Sequence, residues 1–436
     1  MLQSELFTDT YFCERTSTMN ATITQWTPED PLFWEKTGKK IAYTNLIIST
    51  GCLALSFVVW VFWSILAIKI NSYGFHLSKA ELFSLIAIPG LVGASLRILY
   101  SFTIPIFGGR NWTTFSTATL LIPTIGLLIC LQNPNTSYTT FILLAIFCGL
   151  GGGNFSSSMA NISLFFPKRL QGSALGINGG IGNLGVSIFQ LFAPLALSLP
   201  FYGHAINGIY LSSAIAIWIP FIVIFTILAG WKMVNLPTSI KPLQQFRVFK
   251  QANMYLVTIL YFCAFGTFIG CSVAFPLVTK LQFKEIEVVK YAFIGPMVGS
   301  LTRVVGGILA DKLGGKKISI LAFIVMGCAT LGIIYFTQSD QHDFLPYLWM
   351  FLLLFAFSGV ANGSIFQLIG VVFPGGEKAP ALGLSAAIAA YASYLLPQLF
   401  SWSLASFNSP DSAFFILIAC YILSVFILFS CYRKVA

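Results

Sequence analysis

Charge is scarce in this chain. Only 9% of its 436 residues are Asp, Glu, Lys or Arg, against 57% hydrophobic residues and a mean hydropathy of +0.84. A surface this poor in charge cannot hold a globule in water, which excludes a soluble domain. Histidine is nearly absent: His76, His204 and His342 stand isolated in loops. Acids are few and badly placed for chemistry. Glu5, Asp9, Glu14, Glu29, Asp30 and Glu35 lie in an N-terminal tail, and Glu81, Glu285, Glu287, Asp311, Asp340, Asp343, Glu377 and Asp411 fall in loops or at the ends of apolar runs. None of the nine cysteines forms a C-x-x-C pair, and Cys52, Cys130, Cys148, Cys263, Cys271, Cys328 and Cys420 read as small core residues. Acid–base pairs, metal sets and redox motifs therefore have no residues from which to be built. No catalytic residue, metal or cofactor is expected, and the chain does not read as an enzyme.

What the sequence has is length in apolar runs. Stretches of about 20 residues, enough to cross about 30 Å of hydrocarbon as helix, recur near 45–68, 82–107, 113–131, 139–166, 171–199 and 206–233. A second set lies near 253–279, 288–310, 318–337, 344–373, 379–403 and 411–432. The prediction is an all-α membrane protein of twelve transmembrane helices. The expected organisation is a cytoplasmic tail (1–44), a six-helix half (45–233), a polar linker with two prolines (234–252) and a second half (253–436). The tail lacks a basic start followed by an apolar core, so no cleaved signal is expected.

The net charge of +10 invites a nucleic-acid reading, but its distribution speaks for topology. Arg110, Lys168, Arg169, Lys232, Lys241, Arg247, Lys250, Lys312, Lys316, Lys317, Lys378, Arg433 and Lys434 fall on one side. Lys69, Lys79, Lys280, Lys284 and Lys290 fall on the other, a bias of thirteen to five. By the positive-inside rule both termini are cytoplasmic in an inner, cytoplasmic membrane. No nucleic-acid partner is expected; the bilayer is the partner.

The two sets of spans repeat. "RILYSFTIPIFGGR" (97–110) matches "RVVGGILADKLGGK" (303–316), each with an arginine 11 residues before the first glycine of a Gly-Gly-basic turn, at an offset of 206. "FFP" at 165–167 matches "VFP" at 372–374, and "ALG" at 174–176 matches "ALG" at 381–383, at an offset of 207. Two parallel six-helix repeats put a binding site near the midplane between the halves. Arg97 and Arg303 are the two basic residues well inside apolar runs. Each costs about 2.5 to 3.5 kcal/mol unless it faces a cavity or meets a counter-charge. No mid-span carboxylate supplies one, so the repeat points to a pair of arginines clamping an anion from solution, with snorkelling to the interface as the other reading. Phe57, Phe155, Tyr261 and Phe265 either wall that cavity or simply pack, and the Tyr261 hydroxyl is able to donate to an anion.

The least ordinary stretch is "CGLGGGNFSSSMANISLFFPKRLQGSALGINGGIGNLGVSIFQ" (148–190). Small residues at four-residue spacing, Gly172, Gly176 and Gly180, let helices approach closely. Packing does not account for Asn154, Asn161, Asn178 and Asn183, each of which needs a hydrogen-bond partner. The second half echoes the glycines in "SGVANGSIFQ" (358–367), with Gly359 and Gly363, and at Gly383.

"GGILADKLGGKK" (306–317), with Gly307, Asp311, Lys312, Gly314, Gly315 and Lys316, resembles the loop signature of the major facilitator superfamily. "GGGNFSSSMANISLFFPK" (151–168) followed by "ALGINGGIGNLGVS" resembles the nitrate signature of the NarK-like nitrate/nitrite porter family, and "TPEDPLFW" (27–34) and "SFTIPIFGGR" extend the likeness along nearly the whole chain. The resemblance implies the major facilitator fold and makes nitrate and nitrite the substrates. It also implies that Arg97 and Arg303 are the anion-binding pair, that Phe57, Phe155, Tyr261 and Phe265 sandwich the anion, and that Asn183 is the contacting amide. Gly152, Asn154, Gly176, Gly180, Gly359, Gly363, Gly383 and Asp311 become signature and gating positions. The expectation is a monomeric secondary transporter, most simply a nitrate/nitrite antiporter. Proton symport and a porter for another small anion are the alternatives; a sensor would need a signalling domain for which no segment is long enough.

Overall fold

The computed structural model describes residues 23, 25–236, 247–338, 343–373 and 377–432, and within these the fold is helical. Twelve helices are long and apolar enough to cross a membrane: α1 (Pro31–Lys69), α2 (Lys79–Tyr100), α3 (Gly109–Cys130), α4 (Tyr138–Phe165), α5 (Ser173–Leu197), α6 (Ser213–Lys232), α7 (Ala252–Gln282), α8 (Val288–Leu313), α9 (Gly315–Gln338), α10 (Phe344–Val372), α11 (Pro380–Phe407) and α12 (Asp411–Cys431). Tail residues 1–22, linker residues 237–246, Asp340, His342, Arg433, Lys434 and loop residues 374–376 lie outside the described residues.

The repeat is visible in the packing. α2 lies on α4 as α8 lies on α10, and α1 lies on α5 as α7 lies on α11; between the halves α2 meets α11 and α5 meets α8. Glycines make these contacts close. A Cβ on Gly359 would stand 2.1 Å from the Gly299 carbonyl, and one on Gly152 would stand 2.9 Å from the Gly93 Cα, so α8 and α10, like α2 and α4, meet backbone to backbone.

Two helix limits differ from expectation. α1 starts at Pro31 rather than 45, because the Asp30 carboxylate accepts the Leu32 N–H at 2.9 Å and proline at the first position gives up no donor. The segment before it is pinned: Trp26 donates to the Leu164 carbonyl at 3.1 Å, its ring between Phe33 and Phe165. α2 ends at Tyr100 rather than near 107. The Ser101 and Thr103 hydroxyls bond back to the carbonyls of Ile98 (2.6 Å) and Tyr100 (2.7 Å), and a short separate helix, Thr103–Phe107, follows. Among the cysteines, Cys52, Cys148, Cys263 and Cys271 are buried, but Cys328 is exposed on α9, at the outside of the bundle, and does not belong to the core.

With twelve spans among the described residues, the start of α1 and the end of α12 lie on one face, here the proximal face. α1 is buried without interruption from Leu55 to Ala67 and α7 from Cys263 to Thr279, and the end of α1 packs on α7. Toward the proximal face Tyr255 and Ile259 of α7 are exposed, and nothing stands within 4 Å of where a Cβ of Gly176, Gly180, Gly307 or Gly383 would be. The halves are joined at the distal face and apart at the proximal one.

Candidate functional site

Arg97 lies in the last turn of α2, yet its side chain is wholly buried, so it turns inward and does not snorkel. Its Nε donates to the Gly152 carbonyl at 3.0 Å and its Nη1 to the Ala386 carbonyl, in the opposite half, at 2.9 Å. The second acceptor is available because α11 breaks there: the Ala390 N–H bonds the Ala387 carbonyl instead of Ala386. Access to the first depends on glycine, since a Cβ at Gly152 would lie 2.6 Å from the Trp60 indole. Three rings surround the guanidinium carbon, Phe155 at 4.7 Å, Trp60 at 5.3 Å and Phe265 at 5.4 Å. Trp60 is itself fixed by its bond to the Pro89 carbonyl at 2.8 Å.

Arg303 in α8 is partly buried. Its Nη2 donates to the Tyr261 hydroxyl at 3.3 Å, and its guanidinium carbon lies 4.6 Å from the centre of the Phe366 ring. Tyr261 is stacked on Phe265 (centroids 5.5 Å apart) and on Phe366 (4.8 Å). A ladder of three rings thus runs between the arginines, Phe265 beside Arg97 and Phe366 beside Arg303, a favourable setting for both cations. The two guanidiniums also interact electrostatically with each other and with Tyr261. Phe57, fully buried, stands edge-on to Phe155 at 6.2 Å.

Unpaired donors define what this arrangement is able to do. Arg97 Nη2 and Arg303 Nη1 are buried without a partner, and neither arginine is paired with a carboxylate among the described residues. Asn183 on α5 is buried with neither its Nδ2 nor its Oδ1 bonded. It lies two residues before Gly185, whose backbone meets α1 at Ala54 and Phe57. Two fixed cations with free N–H groups, walled by aromatic rings and short of any internal counter-charge, suit a small anion.

The remaining expected positions divide. Asn178 is saturated: its Oδ1 accepts from Thr50 (3.0 Å) and its Nδ2 donates to Ser158 (2.9 Å), which makes it a tie between α1, α4 and α5. Asn154 donates to Ser56 at 2.9 Å, and Asn161 keeps an unpaired Nδ2 beside Gly109. Gly152, Gly359 and Gly363 are packing glycines, the last with a would-be Cβ 2.2 Å from the Arg303 carbonyl. Gly176, Gly180 and Gly383 touch nothing, so the packing reading fails for Gly176 and Gly180 in this conformation; the surroundings of Gly172 lie outside the described residues. Asp311 is exposed eight residues beyond Arg303, about 12 Å along the helix, and stays apart from the arginines. Trp60, Phe366 and the Ala386 carbonyl were not expected. A lone tryptophan or phenylalanine in a chain with 9 Trp and 42 Phe has no contrast to reveal it, and a carbonyl has no letter of its own.

Residues 48–397 match the major facilitator superfamily. The chain is 40% identical over 444 residues to the nitrate/nitrite transporter NarU of Escherichia coli K12, covering 94% of this chain and 96% of that protein. It is 37% identical to the probable nitrate/nitrite antiporter NarK2 of Thermus thermophilus, covering 93% and 95% respectively. A crystal structure of a D-xylose–proton symporter superimposes with a TM-score of 0.72 at 17% identity, covering 89% of this chain and 98% of that one, a likeness of fold alone.

Proposed function

The chain belongs to the nitrate/nitrite porter family of the major facilitator superfamily, and from that premise we propose that it carries nitrate and nitrite across the cytoplasmic membrane by alternating access, exchanging one for the other. The observation that carries the reading is the pair Arg97 and Arg303, each with a buried unpaired Nη and no carboxylate partner. Guanidinium is planar and permanently charged, and its two-pronged donors match a trigonal oxyanion. Phe155 and Phe265 beside Arg97, with Phe57 behind Phe155, offer ring faces to a flat anion, and Tyr261 offers a hydroxyl. Asn183 supplies a free amide. Relatives named as nitrate/nitrite transporters or antiporters support the substrate class.

Exchange follows from the charges. Two cations without internal partners repel each other, so the unloaded carrier is reluctant to reorient, while a bound anion relieves the repulsion. A monovalent anion entering alone works against about 2.3 kcal/mol per 100 mV, and one-for-one exchange cancels that work. No histidine or carboxylate stands mid-helix among the described residues to carry a coupled proton. The excess of basic residues makes the proximal face cytoplasmic, so this conformation opens inward. Gly176, Gly180 and Gly383, which touch nothing here, are the surfaces that close on that side, and the packed glycines Gly152, Gly359 and Gly363 with Asn154 keep each half rigid. Asp311 acts at the cytoplasmic loop and not at the anion. One chain holds the whole site, so a monomer suffices. Competition tests the substrate: uptake of labelled nitrate should be suppressed by nitrite and not by phosphate or acetate, and equal suppression by all would refute it.

A further inference from the structure

Pro276 in α7 leaves a gap in the helix ladder. In an α-helix the carbonyl of residue i accepts the N–H of residue i+4, and proline has no N–H, so the Ser272 carbonyl loses its partner. In a span such a carbonyl must be matched by something else. The match comes from the opposite half: Gln190 on α5 donates through Nε2 to the Ser272 carbonyl at 2.9 Å and to the Ser64 hydroxyl of α1 at 3.1 Å. Gln190 is 0% exposed, and Ser64 and Ser272 are each 1% exposed.

The position of this bond in the repeat gives it a role. Ser64 stands seven residues beyond Phe57, Ser272 seven beyond Phe265, and Gln190 seven beyond Asn183. Each is two helical turns, about 10 Å, distal to its site residue. Ser64 and Ser272 share the offset of 208 that relates Phe57 to Phe265, so Gln190 reaches across the pseudo-symmetry axis where the distal faces are joined. The Gln190 Oε1 is buried without a partner. The joined state thus satisfies the Ser272 carbonyl and leaves the Gln190 carbonyl oxygen dry, while parting the distal faces would let water reach both.

Resting on the alternating-access reading above, we propose that Gln190 is the latch of the distal gate, closing the halves by filling the carbonyl that Pro276 frees. Removing the donor leaves that carbonyl unmatched only when the gate is shut, which shifts the balance toward the distal-open state by about tenfold. Restoring an N–H at position 276 makes the latch unnecessary. The test is hydrogen–deuterium exchange of the full chain in lipid nanodiscs, read by peptide for wild type, Gln190→Met and the double variant Gln190→Met/Pro276→Ala. Gln190→Met should raise exchange about tenfold in distal peptides of α5 (186–197) and α7 (268–282), and slow it in proximal peptides of α5 (173–180) and α11 (380–388). The double variant should return toward wild type. Unchanged distal exchange, a rise at both ends alike, or failure of Pro276→Ala to reverse the shift would overturn the latch. No anion enters the measurement, so its failure leaves the substrate reading standing, and a chain that carried another solute would still show the latch.

Discussion

Replacing Arg97 by lysine separates what a guanidinium does from what a positive charge does. Arg97 spends Nε on the Gly152 carbonyl and Nη1 on the Ala386 carbonyl, and keeps Nη2 free. A lysine head is a single nitrogen and cannot reach acceptors on α4 and α11 while also meeting an anion on a third side. The Gly152 carbonyl lies within an unbroken helix, whereas the Ala386 carbonyl has lost its helical donor to Ala387, so lysine is drawn to Ala386. The anion then loses one charge-assisted hydrogen bond, worth about 1.5 to 3 kcal/mol, or about 10- to 150-fold in Kd. Arg303→Lys should lose affinity on the same scale but cost the fold less, since Arg303 makes a single bond, to Tyr261 at 3.3 Å. The assay is nitrate binding by calorimetry on detergent-purified protein, with thermal unfolding followed in parallel. Near-wild-type Kd for a folded Arg97→Lys would refute the reasoning, because charge alone would then suffice.

Asn183→Ala should weaken nitrate binding and leave unfolding nearly unchanged, while Asn178→Ala, which breaks bonds to Thr50 and Ser158, should do the reverse; the two variants in the same binding and melting assays decide it. Gly359→Ala should destabilise the fold, its new Cβ meeting the Gly299 carbonyl, whereas Gly383→Ala, with nothing within 4 Å, should fold normally and slow transport. Thermal unfolding and uptake rates distinguish them. With no histidine or carboxylate mid-helix among the described residues, exchange should vary little between about pH 6 and 8; a steep rise as pH falls would place a proton in the cycle.

Charge inside an apolar run is a strong signal, and it made Arg97 and Arg303 legible, because two cations in two repeats have no cheap explanation. The helix count followed from apolar length, and the parallel repeat from two offsets. The limits of α1 and α2 were less legible since hydropathy ignores caps: "EDP" at 29–31 encodes a helix start in polar letters, and Ser101 and Thr103 end α2 inside an apolar run. Trp60 and Phe366 gave no contrast against so many aromatics. The asparagines looked alike in sequence, yet Asn178 is saturated and Asn183 bare, a difference set by Thr50 and Ser158 from other helices. The role of Gln190 needed Pro276, more than eighty residues away, to be seen beside it.

The central claim is exchange, and counterflow in sealed proteoliposomes tests it most directly. Labelled nitrate is added outside vesicles loaded with nitrite, with nitrate or with neither, at fixed pH and clamped membrane potential. Loaded vesicles should take up nitrate rapidly, empty ones hardly at all, and the exchange rate should change little when the potential is stepped. Fast uptake into empty vesicles, driven by an imposed pH gradient and accompanied by proton entry, would contradict the account and establish symport.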